Sequence, residues 1–119
     1  MRFMSLVKGA ENQGTPPQAL MEAMGELIEK SMKAGVLIDT GGLAPSAMST
    51  RVRLSGGRYT VVDGPFAETK ELVGGYAIME LNSREEAIEA AKEFLDLHTA
   101  HWPEWVGECE VRQIFSPND

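Results

Sequence analysis

A chain of 119 residues is the size of one domain, and residues 1–119 are read as a single domain. Hydrophobic residues make up 43% and charged residues 24%, proportions of a globular protein that exclude a wholly disordered chain. The net charge of −7 gives a surface that repels phosphate, so neither direct nucleic-acid binding nor attachment to an anionic membrane is expected. The single cysteine, Cys109, leaves no intrachain disulfide and fits a reducing compartment. The apolar run at the N-terminus is too short for a signal peptide, and no stretch approaches the ~20 residues of a spanning helix. A bacterial-type cytoplasmic location is expected.

Residues 2–8 alternate as a strand, with Phe3, Ser5 and Val7 on one face and Met4, Leu6 and Lys8 on the other. A polar loop, residues 9–15, leads to a helix. Thr15 is its expected N-cap, Pro16 its first position and Gln18 the partner in a capping box. Leu20, Met24, Leu27, Ile28 and Met32 form the apolar stripe, and Gly35 ends it. Residues 36–40 are a short apolar run that reads as a minor strand. Residues 49–54 and 58–62 read as two strands joined by Ser55-Gly56-Gly57, a hairpin signal. Residues 63–72 are an irregular connection, and residues 73–81 the next strand. Ser83 caps a second helix, with Glu86 closing its box and Ala87, Ile88, Ala91, Phe94 and Leu95 on one face. Residues 108–115 form the last strand.

Setting the short run at 36–40 aside leaves β-α-β-β-α-β, an α+β ferredoxin-like protomer with two helices on one face of an antiparallel sheet. A sheet with one wet face alternates apolar and polar residues. Here Met4 and Leu6 oppose Phe3 and Val7, while Tyr76 and Ile78 oppose Ala77 and Met79. Two helices cannot cover both faces, so a homodimer is expected, with a second copy covering the remaining face.

The segment Asp63-Gly64-Pro65-Phe66-Ala67-Glu68-Thr69-Lys70-Glu71, followed by Gly74-Gly75-Tyr76, resembles the DGPF-type branch of the YCII-related proteins. Arg2-Phe3-Met4-Ser5-Leu6-Val7, Gly42-Leu43-Ala44-Pro45, Glu86-Ala87-Ile88-Glu89-Ala90-Ala91 and Glu110-Val111-Arg112 are similar to other parts of that family. The resemblance implies protomers that pair into a dimeric α/β barrel, with a cleft between sheet and helices. It implies no defined reaction: enzymatic activity is suspected in some relatives, and a link to sigma-factor genes in others. Gln113 stands where the family often has proline. The segment His98-Thr99-Ala100-His101-Trp102-Pro103-Glu104-Trp105 is longer and more aromatic than is usual there, and is placed to reshape the cleft mouth.

Asp-Gly-Pro is turn chemistry, so Asp63 reads first as a structural residue. In a cleft its carboxylate would serve as acid, base or ligand anchor. Glu68, Lys70 and Glu71 read either as a solvated loop or as a polar ligand contact. Arg51 and Arg53 project from one face of their strand. With Arg112 they could bind a small anionic ligand, the alternative being pairing with Glu80, Glu110 or Asp63. His98 continues the apolar stripe of the second helix. It reads as a hydrogen-bonded core residue or, paired with Asp63, as an acid–base group. His101 lies three residues on, but no partner at metal-ligand spacing accompanies the two histidines, and no metal is expected. Trp102 and Trp105 could line a pocket or a dimer contact, and Cys109 reads as buried and inert. No phosphate loop, dinucleotide fingerprint or nucleophile elbow is present, so no cofactor is expected. Two functional readings follow: a small-molecule binder, with or without acid–base catalysis, and a non-catalytic regulatory or interaction module.

Overall fold

The structure, a computed structural model, describes residues 1–66 and 72–117. In chain order the elements are β1 (Arg2–Gly9), α1 (Gln18–Lys33), β2 (Leu37–Gly42), β3 (Thr50–Ser55), β4 (Arg58–Asp63), β5 (Leu72–Glu80), α2 (Arg84–His101) and β6 (Gly107–Ile114). A single turn of 3-10 helix, Ser46–Met48, precedes β3. Four strands form one antiparallel sheet in the order β2-β5-β1-β6, and β3 with β4 forms a separate two-stranded sheet.

Register puts the apolar side chains of one sheet face in line. Phe3 lies opposite Met79 on β5 and Gln113 on β6, and Ser5 lies between Ala77 and Val111. Phe3, Met79 and Ala87 of α2 are buried together, with Leu37, Leu81, Ala90 and Val111 against them. Burying one such side chain contributes about 2 kcal/mol. Both helices lie over this face. On the other face Met4, Leu6, Tyr76 and Ile78 are half-buried, and no helix among the described residues covers them. Lys8, Glu110 and Arg112 share that face, with Glu110 accepting from Lys8 Nζ at 2.9 Å and from Arg112 Nε. These two cations hold the Glu110 carboxyl below the usual carboxylate range.

The α+β class, the two helices and the antiparallel sheet match the reading of the sequence, but the identity of the sheet strands does not. The four-stranded sheet recruits residues 37–42, the run set aside as minor, and the stronger hairpin at 50–63 stands outside it. The sheet elements still follow as β-α-β-β-α-β. The first helix also starts later than expected. Its N-cap is Pro17, in an extended conformation and without a side-chain cap bond. The cause is the Pro16-Pro17 pair, because a residue before proline is pushed out of the helical region. Thr15 therefore caps nothing, and Gln18 bonds forward to Glu22. The second helix is capped by Ser83 as read, its Oγ accepting from Glu86 N at 3.2 Å, while the Glu86 carboxylate reaches one residue past the cap to Asn82 N at 2.8 Å.

The β3-β4 hairpin closes on Gly56 and Gly57, both at positive φ (57° and 76°), the geometry of a tight two-residue hairpin turn. One of its faces carries Val52 and Leu54 paired with Val61 and Tyr59. The other carries Arg51, Arg53 and Ser55 paired with Val62, Thr60 and Arg58.

Candidate functional site: a cleft between the helices and the sheet

Small residues make the cleft. Where α1 crosses the sheet, the strands present Ser5, Gly75, Ala77, Gly41 and Gly42, which are too short to reach the helix. Met24, Leu27 and Ile28 of α1 face them across a cavity of about 980 Å³. That size is in the range of small-molecule sites, and the lining is mostly apolar. Among the described residues its charged contributors are Glu11, Lys30 and Glu93.

An aromatic cluster from the end of α2 and the following loop forms one wall. His98 is buried, its ring 4.9 Å from Phe94 and 4.4 Å from Trp105, and Trp102 lies 6.5 Å beyond Trp105. Pro103 ends the helix here, and Trp102 N donates to His98 O at 2.7 Å. His98 Nδ1 is 3.2 Å from the Phe94 carbonyl, which can only accept, so Nδ1 carries the proton. Burial pushes the imidazole pKa down, partly offset by that backbone contact. The ring is therefore neutral at pH 7, with Nε2 an acceptor. His98 lines the cleft, and among the described residues Nδ1 is its hydrogen-bonded nitrogen.

Two side chains of the polar loop hold the mouth. Gln13 pairs with Val106 as a strand would, donating to its carbonyl and accepting from its N–H, both at 2.8 Å. Glu11 accepts from the backbone N–H of buried Ser46, and from its hydroxyl at 2.8 Å. Reading the sequence missed both, because loop glutamines and glutamates carry no positional signal. Ser5 was detectable, as a lone polar residue on the apolar face of β1. Beside it Cys109 is pushed up by burial, with the Ser5 hydroxyl partly offsetting this and Glu108 adding to it. Cys109 lines a smaller hollow of about 440 Å³ between α2 and β6.

The other candidates lie elsewhere. Asp63 ends β4, exposed, and accepts from Thr50 Oγ1 at 2.9 Å. It does not line the cleft with His98. Gly64 follows with its backbone against the Ser46 carbonyl, where a β-carbon would sit 1.6 Å from that oxygen, so only glycine fits. The Gly64–Pro65 peptide is cis. Phe66 is buried, with the Arg51 guanidinium 3.7 Å above its ring. Asp63, Gly64 and Phe66 thus make local contacts at the base of the hairpin. Glu68, Lys70 and Glu71 lie outside the described residues. Arg51 and Arg53 share the polar face of the hairpin, whereas Arg112 lies on the four-stranded sheet with Glu110, so the three do not share one sheet. Among the described residues no three His, Cys, Asp or Glu side chains gather as a metal site.

Residues 1–95 match the YCII-related domain. The chain belongs to the YCII-related domain family. An uncharacterised protein of Rhizobium meliloti (strain 1021) is 30% identical over 97 residues, covering 82% of this chain and 74% of that protein. The YCII-related match ends before His98, Trp102 and Trp105, so the aromatic wall of this cleft is read from its own geometry. No helix among the described residues is long and apolar enough to cross a membrane.

Proposed function

We propose that this YCII-related protein binds a small, largely apolar, uncharged molecule in the cleft, with His98 Nε2 as its hydrogen-bond acceptor. The observation that carries this reading is the 980 Å³ cavity, walled by aliphatic and aromatic side chains around one neutral imidazole. Among the described residues, the three charged side chains at its edge sum to −1 and include no arginine, which favours an uncharged ligand over an anionic one. In a reaction, the same Nε2 would accept a proton from a bound hydroxyl or an activated C–H. On the opposite face of the sheet, a second copy covering Met4, Leu6 and Ile78 would complete a dimeric barrel of ferredoxin-like protomers. The alternative, a non-catalytic interaction module, draws on the exposed hairpin.

Both tryptophans of the chain line the cleft, so intrinsic fluorescence reports on it. Titration with N-phenyl-1-naphthylamine, a neutral apolar probe, is expected to quench tryptophan emission saturably. Ala77→Leu, which fills the floor, should weaken that binding at least tenfold without loss of helical circular dichroism. Absence of saturable quenching in the wild type, or unchanged binding by the filled variant, would overturn the reading.

A further inference from the structure

We infer that the hollow between α2 and β6 is a second ligand site, which takes a small carboxylate with an apolar tail. Two periodicities build its walls. Ile88, Ala91 and Leu95 lie on one stripe of α2, three and four residues apart. Cys109, Val111 and Gln113 alternate along β6, so all three point to the side of the sheet that the helices cover. Phe3, which lies opposite Gln113 and is 3% exposed, forms the floor. Because β6 is an edge strand of the four-stranded sheet, no further strand of that sheet fills the space beyond it. The volume of about 440 Å³ suits a small molecule. Of these lining residues only Ala91 also lines the larger cleft, so the two sites are separate.

Charge selects the ligand. The second helix carries two cations, Arg84 and Lys92, against five carboxylates, Glu85, Glu86, Glu89, Glu93 and Asp96. Both cations line the hollow and, among the described residues, none of the carboxylates does. Arg84 and Lys92 stand four residues before and after Ile88, on one side of the helix, so a carboxylate seated beside Ile88 is within reach of both. Among the described residues Arg84 has no ion pair. Lys92 meets Glu89 at 3.3 Å on an exposed surface, a contact that solvent keeps weak. Burial holds the Cys109 thiol protonated, so the two cations give this lining a net charge of +2 in a chain of net −7. The apolar floor and walls favour an acid with a hydrocarbon chain over a bare inorganic anion.

Sodium octanoate is the probe, followed in proton–nitrogen amide spectra of the full chain. It is expected to shift the amides of Ile88, Lys92, Cys109 and Val111 saturably. Half-saturation should fall at least fivefold below that of 1-octanol, its uncharged counterpart, a preference that two partly exposed ion pairs can supply. Arg84→Gln/Lys92→Gln should bring the two probes to within twofold of each other. Ala77→Leu, which fills the larger cleft, should leave the octanoate shifts in place, so failure of one site is told apart from failure of the other. No saturable shift of these amides would overturn the inference, as would equal half-saturation by the alcohol. Octanoate binding unchanged in a double variant of normal circular dichroism would overturn it too. So would loss of the shifts in Ala77→Leu, which would assign octanoate to the larger cleft. Should the double variant fail to fold, the comparison of octanoate with 1-octanol on the wild type decides.

Discussion

Every feature of His98 points to a ring that is neutral by construction. Its Nδ1 proton is committed to a carbonyl, two aromatic rings flank it, and burial opposes protonation. The pKa lies below 6.5 in the folded chain and near 6.5 in the unfolded one, so the unfolded state takes up a proton first as pH falls. The stability due to the neutral ring is thus complete above about pH 6.5 and is lost as pH drops through the folded pKa. His98→Phe keeps the aromatic contacts and removes the titration. Urea unfolding of both proteins from pH 7.5 to 5 is expected to show a shallower loss of stability in the variant below pH 6.5. Parallel curves would mean that His98 titrates alike in both states. That His98 continued the apolar stripe of α2 was visible in the sequence. That it lines a cavity was not, because the cavity exists only where Ser5, Gly75 and Ala77, dispersed over two strands, come to lie under α1.

Among elements, the two helices are started by different means. At α2 the Ser83 hydroxyl satisfies the Glu86 amide of the first turn, and the Glu86 carboxylate accepts from Asn82 N just before the cap. At α1 the consecutive prolines hold the chain extended, and no side chain caps the first turn. Ser83→Ala is therefore expected to cost about 1 kcal/mol, and Thr15→Ala close to nothing. Denaturant midpoints of the two variants check this, and a comparable loss in both would contradict the α1 N-terminus at Pro17. Thr15-Pro16-Pro17-Gln18 has the letters of a cap, and only the effect of one proline on the residue before it moves the start. Strands show the same division between local and distant information. Alternation and turn residues located β1, β5, β6 and the hairpin to within a residue or two. Which strands pair is decided by contacts far apart in sequence. Leu37-Ile38-Asp39-Thr40-Gly41-Gly42 is a weak strand by composition, yet β5 recruits it, and Tyr76 Oη donates to Asp39 at 3.0 Å across the pair. The hairpin, the stronger strand signal, finds no place in that sheet.

At the scale of the whole molecule, two apolar surfaces stay exposed among the described residues of one chain. One is the sheet face bearing Met4, Leu6 and Ile78, and the other is the hairpin face bearing Val52, Leu54, Tyr59 and Val61. Folding that leaves both exposed forgoes part of the burial that stabilises a domain of this size. If a second copy supplies it, folding and association are one equilibrium, and mass action makes the melting temperature depend on concentration. A tenfold dilution of a two-state dimer removes about 1.4 kcal/mol per dimer. For two chains of 119 residues, unfolding entropies near 2.1 cal/mol/K per residue convert this to a fall of roughly 3 °C per decade. Differential scanning fluorimetry between 1 and 100 μM is thus expected to show a total shift of roughly 6 °C. Leu6→Glu, which places a charge on that sheet face, is expected to melt at one temperature across the same range. A wild-type melting point independent of concentration would mean that the core of Phe3, Met79 and Ala87 holds the fold alone, and that neither apolar surface is covered by another copy under those conditions.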